Sequence, residues 1–223
     1  MIHNAVTYLI KGIIRLTCRV HDSELNRVPL RGPFIVVTNH INFLEVPLLY
    51  TFFHPRPLIG LVKVETWNNP LLGGLANLWQ AIPIDRDNPD LTVLRRALAV
   101  LKEGKFLAIA PEGTRSGNGR LQPGHSGVVY MALKSGLPII PVVHYGGEKY
   151  WRNLKSGRRT DFHLRVGRPF TLRSGDRFPS RRTRQLMLQE IMYQLAELLP
   201  PDYRGAYADM SQASKDFLVP QNN

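Results

Sequence analysis

The sequence predicts an α/β fold: a single domain with a mixed, largely parallel sheet flanked by helices, preceded by an N-terminal amphipathic helix. Three observations carry that reading. Short apolar runs at 34–38, 58–62, 81–84, 106–110 and 139–143 have the length and the Ile, Val and Leu content of buried strands. Segments at 43–53, 91–103, 124–135 and 181–199 interleave with those runs and read as helices, several with apolar residues three or four apart. Glycine and proline punctuate the joins. A chain of 223 residues with 43% hydrophobic content buries a sizeable core, and no internal repeat or independent second domain is evident.

The elements follow in order. On a helix, Ile2, Val6, Leu9, Ile13, Leu16 and Val20 form one apolar stripe, with Lys11, Arg15 and Arg19 along another face. Recurring charge rules out a spanning segment and a cleavable signal peptide, leaving a helix docked on the domain or lying in a membrane interface. Residues 1–25 are therefore assigned to a membrane-associating helix, 30–205 to the main domain and 206–223 to a C-terminal arm. The run 34–38 ends in Asn39-His40, and Pro47 sits in the first turn of the helix that follows. Asn69-Pro70 opens a Gly-rich stretch. The 19 uncharged residues at 66–84 contain too many Asn, Gln and Pro for a membrane span, although an interface-facing structure remains open. Gly104 and Gly136 close the helices at 91–103 and 124–135, and Pro200-Pro201 stops the last one. A further strand is expected at 162–166.

Charge narrows the partners. The chain has 29 Lys+Arg against 17 Asp+Glu, a net +12, and residues 121–180 hold ten basic groups against three acidic. Such an excess favours an anionic partner without naming it. No zinc-finger, recognition-helix or RNA-binding aromatic pattern accompanies it, so nucleic acid is not expected. The single Cys18 excludes an internal disulfide framework and a cysteine metal cluster; no metal is expected.

Chemistry concentrates in a few loops. His40 follows a strand, and Glu45 starts the next helix. An imidazole there can take a hydroxyl proton while a carboxylate fixes its other ring nitrogen; an ordinary turn histidine is the alternative. Pro111-Glu112-Gly113-Thr114-Arg115-Ser116 follows another strand, where backbone amides, the Thr114 hydroxyl and the Arg115 fork suit phosphate oxygens; a polar turn is the alternative. Lys63 with Glu65, and Arg86, also follow strands. In a parallel sheet these loops share one face, so His40, Lys63, Arg86 and Arg115 can converge there.

These segments resemble, in order, the motifs of the glycerolipid acyltransferase family, especially its PlsC-like members that act on 1-acylglycerol-3-phosphate. Asn39-His40-Ile41-Asn42-Phe43-Leu44-Glu45 matches the first motif, with Glu45 where the family usually has Asp. Lys63-Val64-Glu65, Pro70, Gly73 and Ala81-Ile82-Pro83-Ile84-Asp85-Arg86 resemble the second. Pro111-Glu112-Gly113-Thr114-Arg115-Ser116 resembles the third and Leu137-Pro138-Ile139-Ile140-Pro141-Val142 the fourth. Ala110 stands where many relatives carry Phe, and Thr66 where Leu is frequent. Glu45 must adopt a different rotamer from Asp to hold His40.

The resemblance implies a glycerol-3-phosphate/lysophospholipid acyltransferase-like fold and transfer of a fatty acyl group from acyl-CoA or acyl-carrier protein to the free hydroxyl of lysophosphatidic acid, giving phosphatidic acid. In that reading His40 is the base and Glu45 its orienting partner. Arg86, Gly113, Thr114 and Arg115 bind the acceptor phosphate, Glu112 organises that pocket, and Asn39, Lys63 and Glu65 support it. No permanently bound cofactor is implied. Glu45 keeps open a relative that acylates another lysolipid or an amine-containing lipid. Long acyl substrates imply peripheral attachment to an anionic membrane surface at the cytoplasmic face, with Trp67, Trp79 and Trp151 as candidate anchors.

Overall fold

The computed structural model describes residues 2–85, 91–173, 175 and 177–221. Its strands are β1 (Cys18–His21), β2 (Phe34–Val37), β3 (Leu58–Lys63), β4 (Ile82–Ile84), β5 (Phe106–Ile109), β6 (Ile139–Tyr145), β7 (Thr160–Val166), β8 (Phe170–Leu172) and β9 (Leu218–Pro220). The helices are α1 (Ile2–Thr17), α2 (Glu45–Phe53), α3 (Pro70–Leu78), α4 (Leu91–Lys102), α5 (Gly127–Ser135), α6 (Tyr150–Lys155) and α7 (Arg181–Leu198).

Among the described residues the strands form one sheet in the order β1-β7-β6-β2-β5-β3-β4, with β8 on β6 and β9 on β8. The block from β6 to β4 is parallel, while β7 and β8 pair antiparallel with β6. Side chains alternate across each strand, and the core divides accordingly. Ile35, Val37, Leu107, Ile109, Ile139 and Val143 pack on the side that buries α5 and α7. Val36, Phe106, Ile140 and Val142 pack on the side that holds α2 and Ile14 of α1.

Local chemistry sets the helix ends. Asn69 caps α3 by accepting from the amides of Leu71 and Leu72 at 3.0 and 3.1 Å, with Pro70 in the first turn. Ser180 accepts from the Thr183 amide at 3.1 Å and opens α7, while left-handed Gly136 closes α5.

Several segments differ from the sequence expectation. The first helix stops at Thr17, and Cys18–His21 becomes the edge strand β1 beside β7, so Val20 belongs to the sheet rather than to the helical stripe. Ile2, Leu9, Ile13 and Leu16 are exposed along one side of α1. Its basic face is not simply solvated: Lys11 and Arg15 lie over the Phe52 ring of α2, 4.7 and 5.5 Å from its centroid. The C-terminal segment returns to the sheet through β9. The Gly-rich stretch contains α3, and the basic block contains α6. Among the described residues no helix is long and apolar enough to cross a membrane.

Candidate active site

Parallel register brings three chain segments to one level. Val37 of β2 lies opposite Ile109 of β5 and Pro141 of β6. Three residues beyond each partner stand His40, Glu112 and His144. The site gathers around that level, at the C-terminal edge of the sheet.

Glu45 opens α2 and is 3% exposed. One carboxylate oxygen contacts Nδ1 of His40. The other accepts the backbone N–H groups of Ile41 and Asn42 at 2.7 and 3.2 Å and lies 3.2 Å from Nε2 of His144. The carboxylate thus satisfies loop amides and orients an imidazole at the same time, a buried charge offset by four donors. Asn42 in turn accepts the Leu44 amide at 2.9 Å and donates to the Gly147 carbonyl at 2.8 Å, fixing the turn between base and helix.

The loop after β5 is sewn to the loop after β2. Glu112, 2% exposed, accepts the backbone N–H of His40 at 2.6 Å with one oxygen and that of Gln122 at 2.8 Å with the other. Burial pushes its carboxyl up to about 7, against the opposing pull of the two amide donors. The amides of Ser116 and Gly117 donate to the carbonyls of His40 and Ile41 at 2.8 and 2.9 Å, and the Gly113 amide donates to the Ala110 carbonyl at 3.1 Å. Those three amides are spent within the protein, unlike the anion-facing arrangement expected from the sequence. Gly113 has φ +67°, which only glycine adopts without strain. Thr114 and Arg115 project as exposed side chains beside this tie.

Lys63 ends β3, and its ammonium meets Glu65 at 2.6 Å, holding that carboxyl below its usual range. Both side chains are about half exposed. Arg86 lies outside the described residues. Trp79 is buried and stacked on Tyr50, centroids 4.7 Å apart, so it serves the core and is no interfacial anchor. Trp151 is 56% exposed and stacks on Phe43, three residues beyond His40, at 5.3 Å. Trp67 donates to Asn77 at 2.8 Å.

Sequence reasoning missed His144, which is fully buried on β6. Its backbone N–H and carbonyl are both engaged by the Asn39 side chain, at 2.9 and 2.8 Å. Burial holds its imidazole down at about 4. The signal was a histidine three residues beyond Pro141, hidden inside an apolar strand.

Comparison with known proteins agrees with this architecture. A family model described as Acyltransferase matches residues 19–145. A 1-acyl-sn-glycerol-3-phosphate acyltransferase of Limnanthes alba is 38% identical over 121 residues, covering 53% of this chain and 43% of the relative. One from Pseudomonas aeruginosa is 32% identical over 149 residues, covering 66% and 54%. One from Bacillus subtilis is 24% identical over 189 residues, covering 85% and 92%. The chain thus spans less than half the length of the Limnanthes relative. The crystal structure of the 1-acyl-sn-glycerophosphate acyltransferase PlsC from Thermotoga maritima superposes with a TM-score of 0.63 at 22% identity, over 88% of this chain and 79% of that one, a likeness of fold.

Proposed function

The chain belongs to the acyltransferase family, and on that premise we propose that it moves a fatty acyl group from an acyl thioester to the free hydroxyl of 1-acyl-sn-glycerol 3-phosphate. The observation that carries this reading is the buried contact between Nδ1 of His40 and the Glu45 carboxylate. With Nδ1 so engaged, Nε2 is the nitrogen that takes the acceptor's hydroxyl proton. The alkoxide oxygen bonds to the thioester carbonyl carbon, and the carbon–sulfur bond breaks. The departing thiolate recovers the proton from His40. Glu45 steadies the imidazolium between these transfers, so no covalent acyl-enzyme is needed.

Arg115, Thr114 and Gly113, with Arg86, are proposed to receive the acceptor phosphate, a role for which Arg115 offers a planar, bidentate cation. Glu112 organises the loops instead of touching phosphate, because both its oxygens are taken by amides. Lys63 and Glu65 support the same edge of the sheet. The donor is acyl-CoA or acyl-carrier protein. The exposed apolar side of α1, with Trp151 and the surrounding basic residues, is proposed to rest on an anionic membrane surface.

The test is a panel of purified acceptors with matched long-chain acyl donors. Acylation of lysophosphatidate above other lysolipids and amine-containing lipids supports the reading. Transfer to another acceptor with lysophosphatidate inert would replace the substrate and favour the alternative that Glu45 first raised.

A further inference from the structure

We propose that His144 is a positioning residue for this reaction: a neutral imidazole, braced by Asn39, that holds the far oxygen of Glu45 so that the near oxygen stays on His40. The inference rests on the His40–Glu45 reading above and deepens it.

Geometry carries the argument. Nε2 of His144 lies 2.9 Å from the Asn39 carbonyl oxygen and 3.2 Å from the Glu45 carboxylate. Both neighbours are acceptors, so Nε2 must carry the proton. Nδ1 is buried and meets no hydrogen-bonding group among the described residues. A proton there would add a charge and an unpaired donor in a dry site, which fixes the neutral Nε2–H tautomer. The ring stacks on Phe162 of β7, centroids 5.5 Å apart and 18° from parallel. The Asn39 side chain clamps the His144 backbone from the next strand. Val142 and Ile140 share its side of β6, the side that receives α2, so strand parity aims the ring at the first residue of that helix.

The chemical consequence follows from neutrality. Glutamate has one more rotatable bond than aspartate, and an unheld carboxylate would sample orientations that leave His40. A Lys or Arg in this place would fix the carboxylate but draw on its charge, which His40 needs as it becomes an imidazolium. A neutral N–H donor restrains the group and leaves that charge available. His144 touches no reacting atom; it acts through Glu45.

Three measurements on the full chain test this. First, long-range ¹H–¹⁵N spectra should show His144 neutral and Nε2-protonated throughout the range from pH 5 to 9; a His144 that titrates normally there, or carries its proton on Nδ1, overturns the proposal whatever any variant does. Second, His144→Phe keeps a ring against Phe162 and removes the donor. It should lower kcat about tenfold or more, the scale of one hydrogen bond to a charged group, with KM nearly unchanged. It should also broaden or shift the hydrogen-bonded Nδ1 proton of His40. His144→Gln, which returns an N–H donor, should restore most of kcat and that resonance; a merely structural role would not be rescued by the donor. Third, in a Glu45→Asp background the shorter carboxylate cannot serve both imidazoles, so His144→Phe should change kcat by less than about twofold.

A wild-type kcat and an unmoved His40 resonance in His144→Phe would sink the inference while leaving the acyltransferase reading intact. A spectral coupling with no acyl transfer to any acceptor would do the reverse. If His144→Phe does not fold, the wild-type tautomer and the Gln variant still decide.

Discussion

Glu112 and His40 stand at the same level of two adjacent parallel strands, and the Glu112 carboxylate accepts the His40 backbone N–H at 2.6 Å. Base and phosphate loop are therefore parts of one hydrogen-bonded assembly, and the titration of a buried carboxyl becomes a property of the site.

That carboxyl has a pH signature. Its folded value near 7 lies above the ordinary 4.5. The folded state therefore holds the proton more tightly, and this contribution to stability is present below about pH 4.5 and lost as pH rises through 7. Urea unfolding of wild type and Glu112→Gln should show wild type losing roughly 3 kcal/mol relative to the variant between about pH 4.5 and 7, with a flat difference above. A difference independent of pH contradicts the burial argument.

His144 works in the opposite sense. Its folded value near 4 lies below the ordinary 6.5. Its contribution is therefore complete above about pH 6.5 and is lost as pH falls towards 4. His144→Gln should resist acid unfolding better than wild type across that window. The two slopes partly cancel in wild type, so only the variants expose them.

Two glycines should respond oppositely to alanine. Gly146, after β6, has φ +92°, and a Cβ there would meet the Asp161 carbonyl oxygen. Gly146→Ala should cost roughly 2 kcal/mol or more and lower Tm by several degrees. Gly12 is exposed within α1, with nothing within 4 Å of the place an alanine methyl would occupy. Gly12→Ala should stabilise by roughly 0.5–1 kcal/mol through helix propensity.

The exposed stripe of α1 predicts a separable membrane function. Leu9→Ser with Ile13→Ser should weaken sedimentation with anionic vesicles, leave unfolding midpoints almost unchanged, and spare turnover of detergent-dispersed substrate. Raising salt should weaken vesicle binding further, since exposed charges interact over about one Debye length, roughly 8 Å at physiological ionic strength. Vesicle binding unaffected by the double variant would move the contact to another face.

Arg115 should behave as a substrate ligand and not as a structural residue. Arg115→Ala should raise KM for a phosphate-bearing acceptor about tenfold or more, the scale of a charge-assisted hydrogen bond, with stability unchanged. An equal effect on an acceptor without phosphate would remove its proposed role.

Much of this was legible in the sequence because buried parallel strands announce themselves as apolar runs. Phe34–Val37, Leu58–Lys63, Phe106–Ile109 and Ile139–Tyr145 each fall within two residues of the expected bounds. The pairing of His40 with Glu45 was readable because both lie within one turn of chain. Edge strands were not. Cys18–His21 carries Arg19 and His21 outward and continues the helical rhythm of its neighbours, while Phe170–Leu172 and Leu218–Pro220 are too short to show alternation. His144 stayed hidden because its meaning comes from Asn39 and Glu45, which are brought to it only by sheet register. The fate of the Ser116 and Gly117 amides was likewise a tertiary fact, since their acceptors belong to the loop after β2, far away in the chain.

The most direct test of the central claim is phosphatidate formation by the purified chain, with lysophosphatidate and a long-chain acyl thioester, in wild type and in His40→Ala. The account predicts robust product from wild type and near-complete loss in a variant that still folds and still binds anionic vesicles. Undiminished acyl transfer by a folded His40→Ala would contradict it.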